Sequence, residues 1–178
     1  MSGRVEVEPA RPEERGVLTN LLQLYVHDFS ELWRGRPEGE LGEDGLFAPY
    51  GPLDLYWREP GRLPFLVRID GRLAGFALIN DVAHSGLPVD RNMAEFFIVR
   101  KHRRGGAGRA AALTLFARLP GVWETAVVRS NAAALAFWRN AVATSPLTEG
   151  IEELDRADAQ WDGPILRFRV RGEAGGQG

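Results

Sequence analysis

The chain predicts an α/β fold, a single domain with a mixed sheet and helices on both of its faces. Three observations predict it. Short β-branched and aromatic runs alternate with amphipathic helical stretches along most of the sequence. Turn pairs such as Asp70-Gly71 and Pro120-Gly121 punctuate them. A length of 178 residues, 44% hydrophobic and 26% charged, suits one continuous core. The domain is expected over residues 1–172, with a flexible tail at 173–178 in the glycine-rich ending GEAGGQG.

Taken in order, Arg4 to Val7 alternates as a short strand closed by Pro9. Pro12, Glu13 and Glu14 then suit the first turn of a helix, with proline and acids at its positive end. Leu18, Leu21, Leu22, Tyr25 and Phe29 recur at helical spacing and form its buried stripe. From Arg34 to Arg62 the chain is rich in glycine, proline and aromatic residues, which predicts an irregular, partly helical segment packed over something. Phe65–Ile69 and Leu73–Ile79 read as a hairpin turned by Asp70-Gly71. A loop, AHSGLPVDR, leads to an apolar strand at Met93–Val99. A helix carrying Ala112, Leu115, Phe116 and Leu119 ends at Pro120-Gly121, and Val122–Val128 is a further strand. Ser130 or Asn131 caps a helix bearing Ala134, Phe137, Trp138, Ala141 and Val142. A weaker strand candidate, Leu147–Leu154, precedes the last strand, Pro164–Val170.

Charge and composition exclude several function classes. Twenty-two Lys and Arg against twenty-four Asp and Glu leave a net charge of −2, without the basic surplus expected of a nucleic-acid binder. There is no cysteine, so disulfides, thiolate zinc sites and a Cys nucleophile are out. His27, His84 and His102 show no metal-ligand spacing, and no metal is expected. Neither a signal-peptide core nor a membrane-length apolar run is visible, which makes the cytoplasm the default location and a membrane partner unexpected.

Against that near-neutral background, VRKHRRGGAGRAAA (Val99 to Ala112) is a local concentration of charge and glycine. A strand, a glycine loop and a helix N-terminus in succession suit a phosphate: backbone amides converge as a nest and the helix dipole adds positive potential. Arg103, Arg104 and Arg109 add full charges. Neither GxxxxGK[ST] nor GxGxxG is present; the string is Arg103-Arg104-Gly105-Gly106-Ala107-Gly108, an R-x-x-G-x-G pattern. A solvated basic loop and a nucleic-acid contact are the competing readings. The latter lacks aromatic residues between the basic ones for base stacking.

Here the chain resembles the GNAT superfamily of acetyl-CoA-dependent N-acetyltransferases. Asn131, Ala134, Phe137 and Trp138 are similar to that family's N-x-x-A-x-x-[LF]-Y helix, and the element order from Val5 to Val170 matches as well. The resemblance implies a GNAT-like fold and acetyl-CoA as acyl donor. It implies that backbone groups of Phe96, Phe97 and Ile98 meet the pantetheine arm and that amides from Arg104 to Arg109 hold the pyrophosphate. Asn131 would hydrogen bond the coenzyme, with Trp138 beside it. Two departures stand out: Trp138 replaces the tyrosine that protonates the departing thiolate in many members, and no Gly-Phe follows it.

For the base that deprotonates an amine, Glu95 on its apolar strand is the first candidate and Glu124 on the next strand the competitor. A structural carboxylate is the alternative role for either. The acceptor is expected to be a small-molecule or peptide amine, with a homodimer left open. The segment from His27 to Tyr56 is expected to wall its pocket, and the acids Asp28, Glu31, Glu38, Glu40, Glu43, Asp44 and Asp54 would suit a cationic amine. A non-catalytic acyl-CoA-binding module is the other reading of the same fold.

Overall fold

A computed structural model describes residues 3–172; the expected tail at 173–178 lies outside the described residues. Among the described residues, seven strands form one sheet in the order β1-β2-β3-β4-β5-β7-β6. They are β1 (Val5–Pro9), β2 (Leu63–Ile69), β3 (Arg72–Asn80), β4 (Arg91–Ile98), β5 (Gly121–Ala126), β6 (Thr148–Ala157) and β7 (Asp162–Val170). All neighbours run antiparallel except β4 and β5, which run parallel. A parallel pair needs a crossover, and helix α2 (Ala107–Arg118) supplies it. Helix α1 (Arg15–Ser30) follows β1, and α3 (Ala132–Ala143) follows β5.

Each expected element is present, and the local chemistry explains the boundaries. Pro12–Glu14 forms a tight 3₁₀ turn ahead of α1, where the Glu14 carboxylate accepts from the Arg11 amide at 2.9 Å. The β2–β3 turn places Asp70 at φ 51° and Gly71 at φ 74°, both left-handed, as the favoured two-residue hairpin requires. Asn131 caps α3 by accepting from the Ala134 amide at 3.1 Å. The Arg34–Arg62 stretch contains only short 3₁₀ turns, Pro37–Gly39 and Gly51–Trp57, and the latter buries Leu53 and Tyr56.

The two faces of the sheet carry separate apolar layers. On one, Leu18, Leu21 and Leu22 of α1 and Leu53 and Tyr56 pack with Leu66, Phe76, Leu78 and Phe97. On the other, Ala111, Leu115 and Phe116 of α2 and Trp138, Ala141 and Val142 of α3 pack with Val67, Ala77, Trp123 and Phe168. Helices therefore cover both faces, as expected. The outer strand β6 is mostly exposed and carries Glu149, Glu152, Glu153 and Asp155. Charges of this kind protect an edge from pairing with another chain. Among the described residues, no helix is long and apolar enough to cross a membrane.

Candidate active site

The parallel pair at the centre of the sheet is short. β4 and β5 register only at Arg91↔Trp123 and Asn92↔Glu124, then part. The β3–β4 register slips at the same level, with Leu78 opposite Glu95 and Ile79 opposite Met93, leaving Ala94 as an extra residue in β4. A bulge bends its strand and re-aims the side chains beyond it. The result is a cleft of about 230 Å³ lined by Met93–Phe96 on one side and Thr125–Val128 on the other.

Past the bulge, alternation decides which backbone groups face the gap. The Val99 amide donates to Ala74 of β3 at 2.9 Å, and Phe97 lies directly opposite Phe76. Phe97 therefore shares Val99's direction and turns its backbone toward β3, while Phe96 and Ile98 turn theirs toward the parted β5. The expectation for β4 thus divides: Phe96 and Ile98 face the cleft with their backbone, and Phe97 does not. The Ile98 carbonyl already accepts from Arg103 Nε at 2.6 Å. Phe97 serves instead as a buried packing residue, with the Arg103 guanidinium 5.3 Å from its ring centre.

Glu95 lines the cleft and is half-buried. The Tyr25 hydroxyl donates to its Oε2, and the Tyr50 hydroxyl is a second hydrogen-bond partner. Tyr56 stands close enough for the carboxylate to raise its pKa as well, so all three tyrosines of the chain gather around one acid. Loss of hydration pushes the Glu95 carboxyl up to about 7, an effect that the two tyrosine hydrogen bonds only partly oppose. Burial and the same carboxylate push the Tyr25 hydroxyl well above its ordinary value, so it stays protonated and donates.

Glu124, the competitor, has a different environment. It is fully buried and accepts from the amides of His84 and Ser85, from Ser85 Oγ at 2.6 Å and from Arg167 Nη1 at 3.2 Å. Both of its oxygens are occupied in holding the 83–91 loop against β5 and β7. A carboxylate so engaged has no lone pair directed at a substrate. Glu124 is a structural anchor.

The glycine loop leads into α2 as expected, and its dihedrals suit an anion. Arg104 at φ 65° and Gly106 at φ 83° are both left-handed, the second immediately before the helix. Left-handed residues placed between right-handed ones turn successive amides to one side. Among the described residues no side chain caps the N-terminus of α2, and the first helical amide bonded inside it is that of Ala110, to the Gly106 carbonyl. The amides of Ala107, Gly108 and Arg109 precede that bond and point out of the helix. At Gly105 a Cβ would meet open space, whereas at Gly108 it would press on Phe137 at 3.3 Å. Gly108 is thus fixed by helix packing.

The arginines do not all face this loop. Arg103 also pairs with Asp28 at the end of α1, and Arg100 binds the same carboxylate at 3.0 Å. Arg109 reaches across to α3, giving 3.0 Å hydrogen bonds to Thr144 Oγ1 and the Thr144 carbonyl. Arg104 remains exposed beside the nest. Asn131 and Trp138 both line the cleft, though the Asn131 Oδ1 is occupied by its cap. Trp138 is buried, 6% exposed, with its ring 5.1 Å from Phe96, while Phe137 is only partly buried. Trp138 thus packs in the core and borders the cleft at once.

Two residues of the cleft's outer wall, Phe29 and Trp33, fall within the His27–Tyr56 segment expected to wall the pocket, whereas sequence reasoning missed Tyr25, His84 and Trp161. Tyr25, Phe29 and Trp33 come from α1 and the turn after it, His84 from the loop before β4, and Trp161 from the β6–β7 turn. No spacing pattern links them. None of the seven acids expected to attract a cationic amine lines this cleft. Asp28 is taken by Arg100 and Arg103, and Asp54 by Arg15 at 2.5 Å. Glu38 and Asp54 border a second hollow of about 490 Å³ between α1 and residues 48–54, which Trp33 separates from the cleft. Among the described residues no group of three or more potential metal ligands occurs.

Comparison with known proteins matches the fold. The described fold is similar to an acetyltransferase from Thermus thermophilus, with a TM-score of 0.63 at 18% identity over 96% of this chain and 100% of that one. It is similar to the PaiA N-acetyltransferase of Thermoplasma acidophilum in complex with coenzyme A, with a TM-score of 0.54 and 12% identity over 94% and 99% of the two chains. The ribosomal-protein-S18-alanine N-acetyltransferase of Escherichia coli gives 0.54 at 14% identity over 96% and 98%. No curated protein matches the sequence. Residues 18–141, from α1 through most of α3, match the family described as acetyltransferase (GNAT). That match spans more than half of the chain, and the protein therefore belongs to the GNAT acetyltransferase family.

Proposed function

We propose that the protein transfers an acetyl group from acetyl-CoA to a primary amine, with Glu95 as the general base. The observation that carries this reading is the position of Glu95: a desolvated carboxylate at the point where β4 and β5 part, titrating near 7. The nest suits the coenzyme, since its outward amides on Ala107, Gly108 and Arg109 and the exposed Arg104 would hold a pyrophosphate. Asn131 and Trp138 border the path from there to Glu95. Bound acetyl-CoA supplies an activated thioester carbonyl.

The chain's own residues do the rest. An alkylamine arrives as an ammonium with a pKa of about 10 and cannot attack until it loses a proton. Ionised Glu95 takes that proton, directly or through water, while the amine nitrogen bonds to the acyl carbon. The outward amide of Ile98 donates to the oxygen on which negative charge develops. When the C–S bond breaks, the sulfur leaves as a thiolate and the nitrogen sheds its second proton through water to that sulfur or to solvent; with a thiol pKa near 8.5 the departure needs no strong acid. Tyr25 is a poor candidate for that acid, because its hydroxyl is held well above its usual range and donates to Glu95. The Trp138 indole can donate a hydrogen bond but does not titrate.

The test is calorimetry with acetyl-CoA on the wild type and on Gly106→Val, followed by thiol release over a set of amines. Valine at φ 83° is strained and crowds the nest, so Gly106→Val should lose coenzyme binding while remaining folded. Binding within a few-fold of wild type would remove the nest from the account. Coenzyme binding without turnover of any amine would instead favour the non-catalytic module, the reading that the missing family tyrosine supports.

A further inference from the structure

We infer that the acceptor is a small monoamine carried on an aromatic body, which lies against the ring wall formed by Phe29, Trp33, His84 and Trp161; the inference rests on the acetyltransferase reading of the cleft. The wall is built from three separate parts of the chain. Phe29 in the last turn of α1 and Trp33 in the turn after it have ring centres 5.3 Å apart. His84 and Trp161 face each other at 4.4 Å from the loop before β4 and the β6–β7 turn. Tyr25 continues the first pair inward, 4.6 Å from Phe29, and ends on Glu95. A ring among these would carry its amine toward the base.

The placement is rigid where it needs to be. The His84 amide donates to the buried Glu124 carboxylate and the His84 carbonyl accepts from Arg156. The amide of Trp161 donates to Asp158 at 3.1 Å, and its carbonyl accepts from the Asp158 amide at 3.0 Å. Burial pushes the His84 imidazole below its ordinary value, so it presents a neutral ring at pH 7. Preorganised aromatic surfaces favour flat apolar partners in offset or edge-on contact.

Charge argues against the main competitor, an amine with further cationic centres. Among the described residues Glu95 is the one carboxylate lining the cleft, and the base cannot also serve as a permanent counter-ion. Face contact with a ring stabilises a cation modestly, whereas stripping water from an unpaired ammonium costs more than that contact returns. Volume sets the size. About 230 Å³, shared with the end of the coenzyme, is below the ~300–1,000 Å³ of pockets for drug-sized ligands, so a single ring on a short arm is the fitting class.

Thiol release from acetyl-CoA should be measured with 2-phenylethylamine, a tripeptide beginning with phenylalanine, hexylamine, putrescine and spermidine. The expected kcat/KM for 2-phenylethylamine is at least tenfold above hexylamine and a hundredfold above the two polyamines. The tripeptide distinguishes a free amine from a peptide terminus of the same chemistry, and the free amine should be preferred. Trp33→Leu and Trp161→Leu should each raise KM for 2-phenylethylamine at least fivefold, with kcat changed less and acetyl-CoA affinity unaltered by calorimetry. Either variant that melts early is replaced by Phe29→Leu, with the same expectation. Polyamine turnover equal to or above that of 2-phenylethylamine overturns the substrate class and leaves the transferase standing, as does a preference for the tripeptide or hexylamine. Coenzyme binding with no amine turned over overturns the transferase reading and this inference with it.

Discussion

Two glutamates on neighbouring strands, Glu95 lying three residues beyond the position that pairs with Glu124, are kept for opposite purposes. Glu124 on β5 is fully enclosed, and two amides, a hydroxyl and an arginine hold it. Glu95 on β4 is less enclosed, yet its partners are tyrosine hydroxyls without charge. Burial with Arg167 keeps one carboxylate occupied. Burial among rings leaves the other poised near neutrality, where a proton can be taken up and returned. Depth alone does not mark a base; the charge and number of its partners do.

Breaking the anchor should give the largest effect. Glu124→Ala strips Arg167 of its buried partner and frees the 83–91 loop, and should cost about 3–5 kcal/mol of stability. Urea unfolding measures it, and a loss below about 1 kcal/mol would mean the anchor is not one. Glu95→Gln should act in the opposite manner, lowering kcat by about 10² or more, the scale of a lost general base, with coenzyme affinity barely changed. Its stability also has a sign. A carboxyl whose pKa rises from its ordinary 4.5 to about 7 on folding binds more protons folded than unfolded, so native stability falls as pH rises through that window. Glutamine carries no such penalty. The variant should therefore gain in thermal melts at pH 8 relative to wild type and gain nothing at pH 4.

The smallest effect is expected at Trp138. Its ring packs edge-on to Phe96 and its indole does not titrate, so Trp138→Phe should keep turnover within about tenfold, roughly 1.4 kcal/mol. A thousandfold fall in a well-folded Trp138→Phe would make the indole N–H part of the chemistry.

The two sides of the cleft also differ in how they are written in the sequence. The coenzyme side is local: a strand, a nest and a helix cap lie within 41 positions, Arg91 to Asn131, and their spacing carries the signal. Gly106, Asn131 and the helix starts can be read one residue at a time from backbone chemistry. The acceptor side is assembled over distance. Tyr25 meets Glu95 across 70 positions, and His84 meets Trp161 only because β6 and β7 return beside β5. Tyr25 shares a helical stripe with buried leucines, and there its hydroxyl looks no different from a core residue's. Arg103 and Arg109 show the converse: their charge beside the glycines suggests phosphate, and only the structure shows Asp28 and Thr144 as their partners. Charge in a motif is legible; the direction of a long side chain is not.

The pH dependence of kcat/KM tests the central claim most directly, since it reports the ionisation of the free enzyme's essential groups. With the best acceptor, wild type should show an acidic limb with an apparent pKa near 7, activity falling as pH drops and Glu95 becomes protonated. Tyr25→Phe removes a donor that favours the ionised carboxylate, so its limb should move to higher pH. A wild-type limb at the ordinary carboxylate range near 4.5, or a limb that persists unchanged in Glu95→Gln, would take the base away from Glu95.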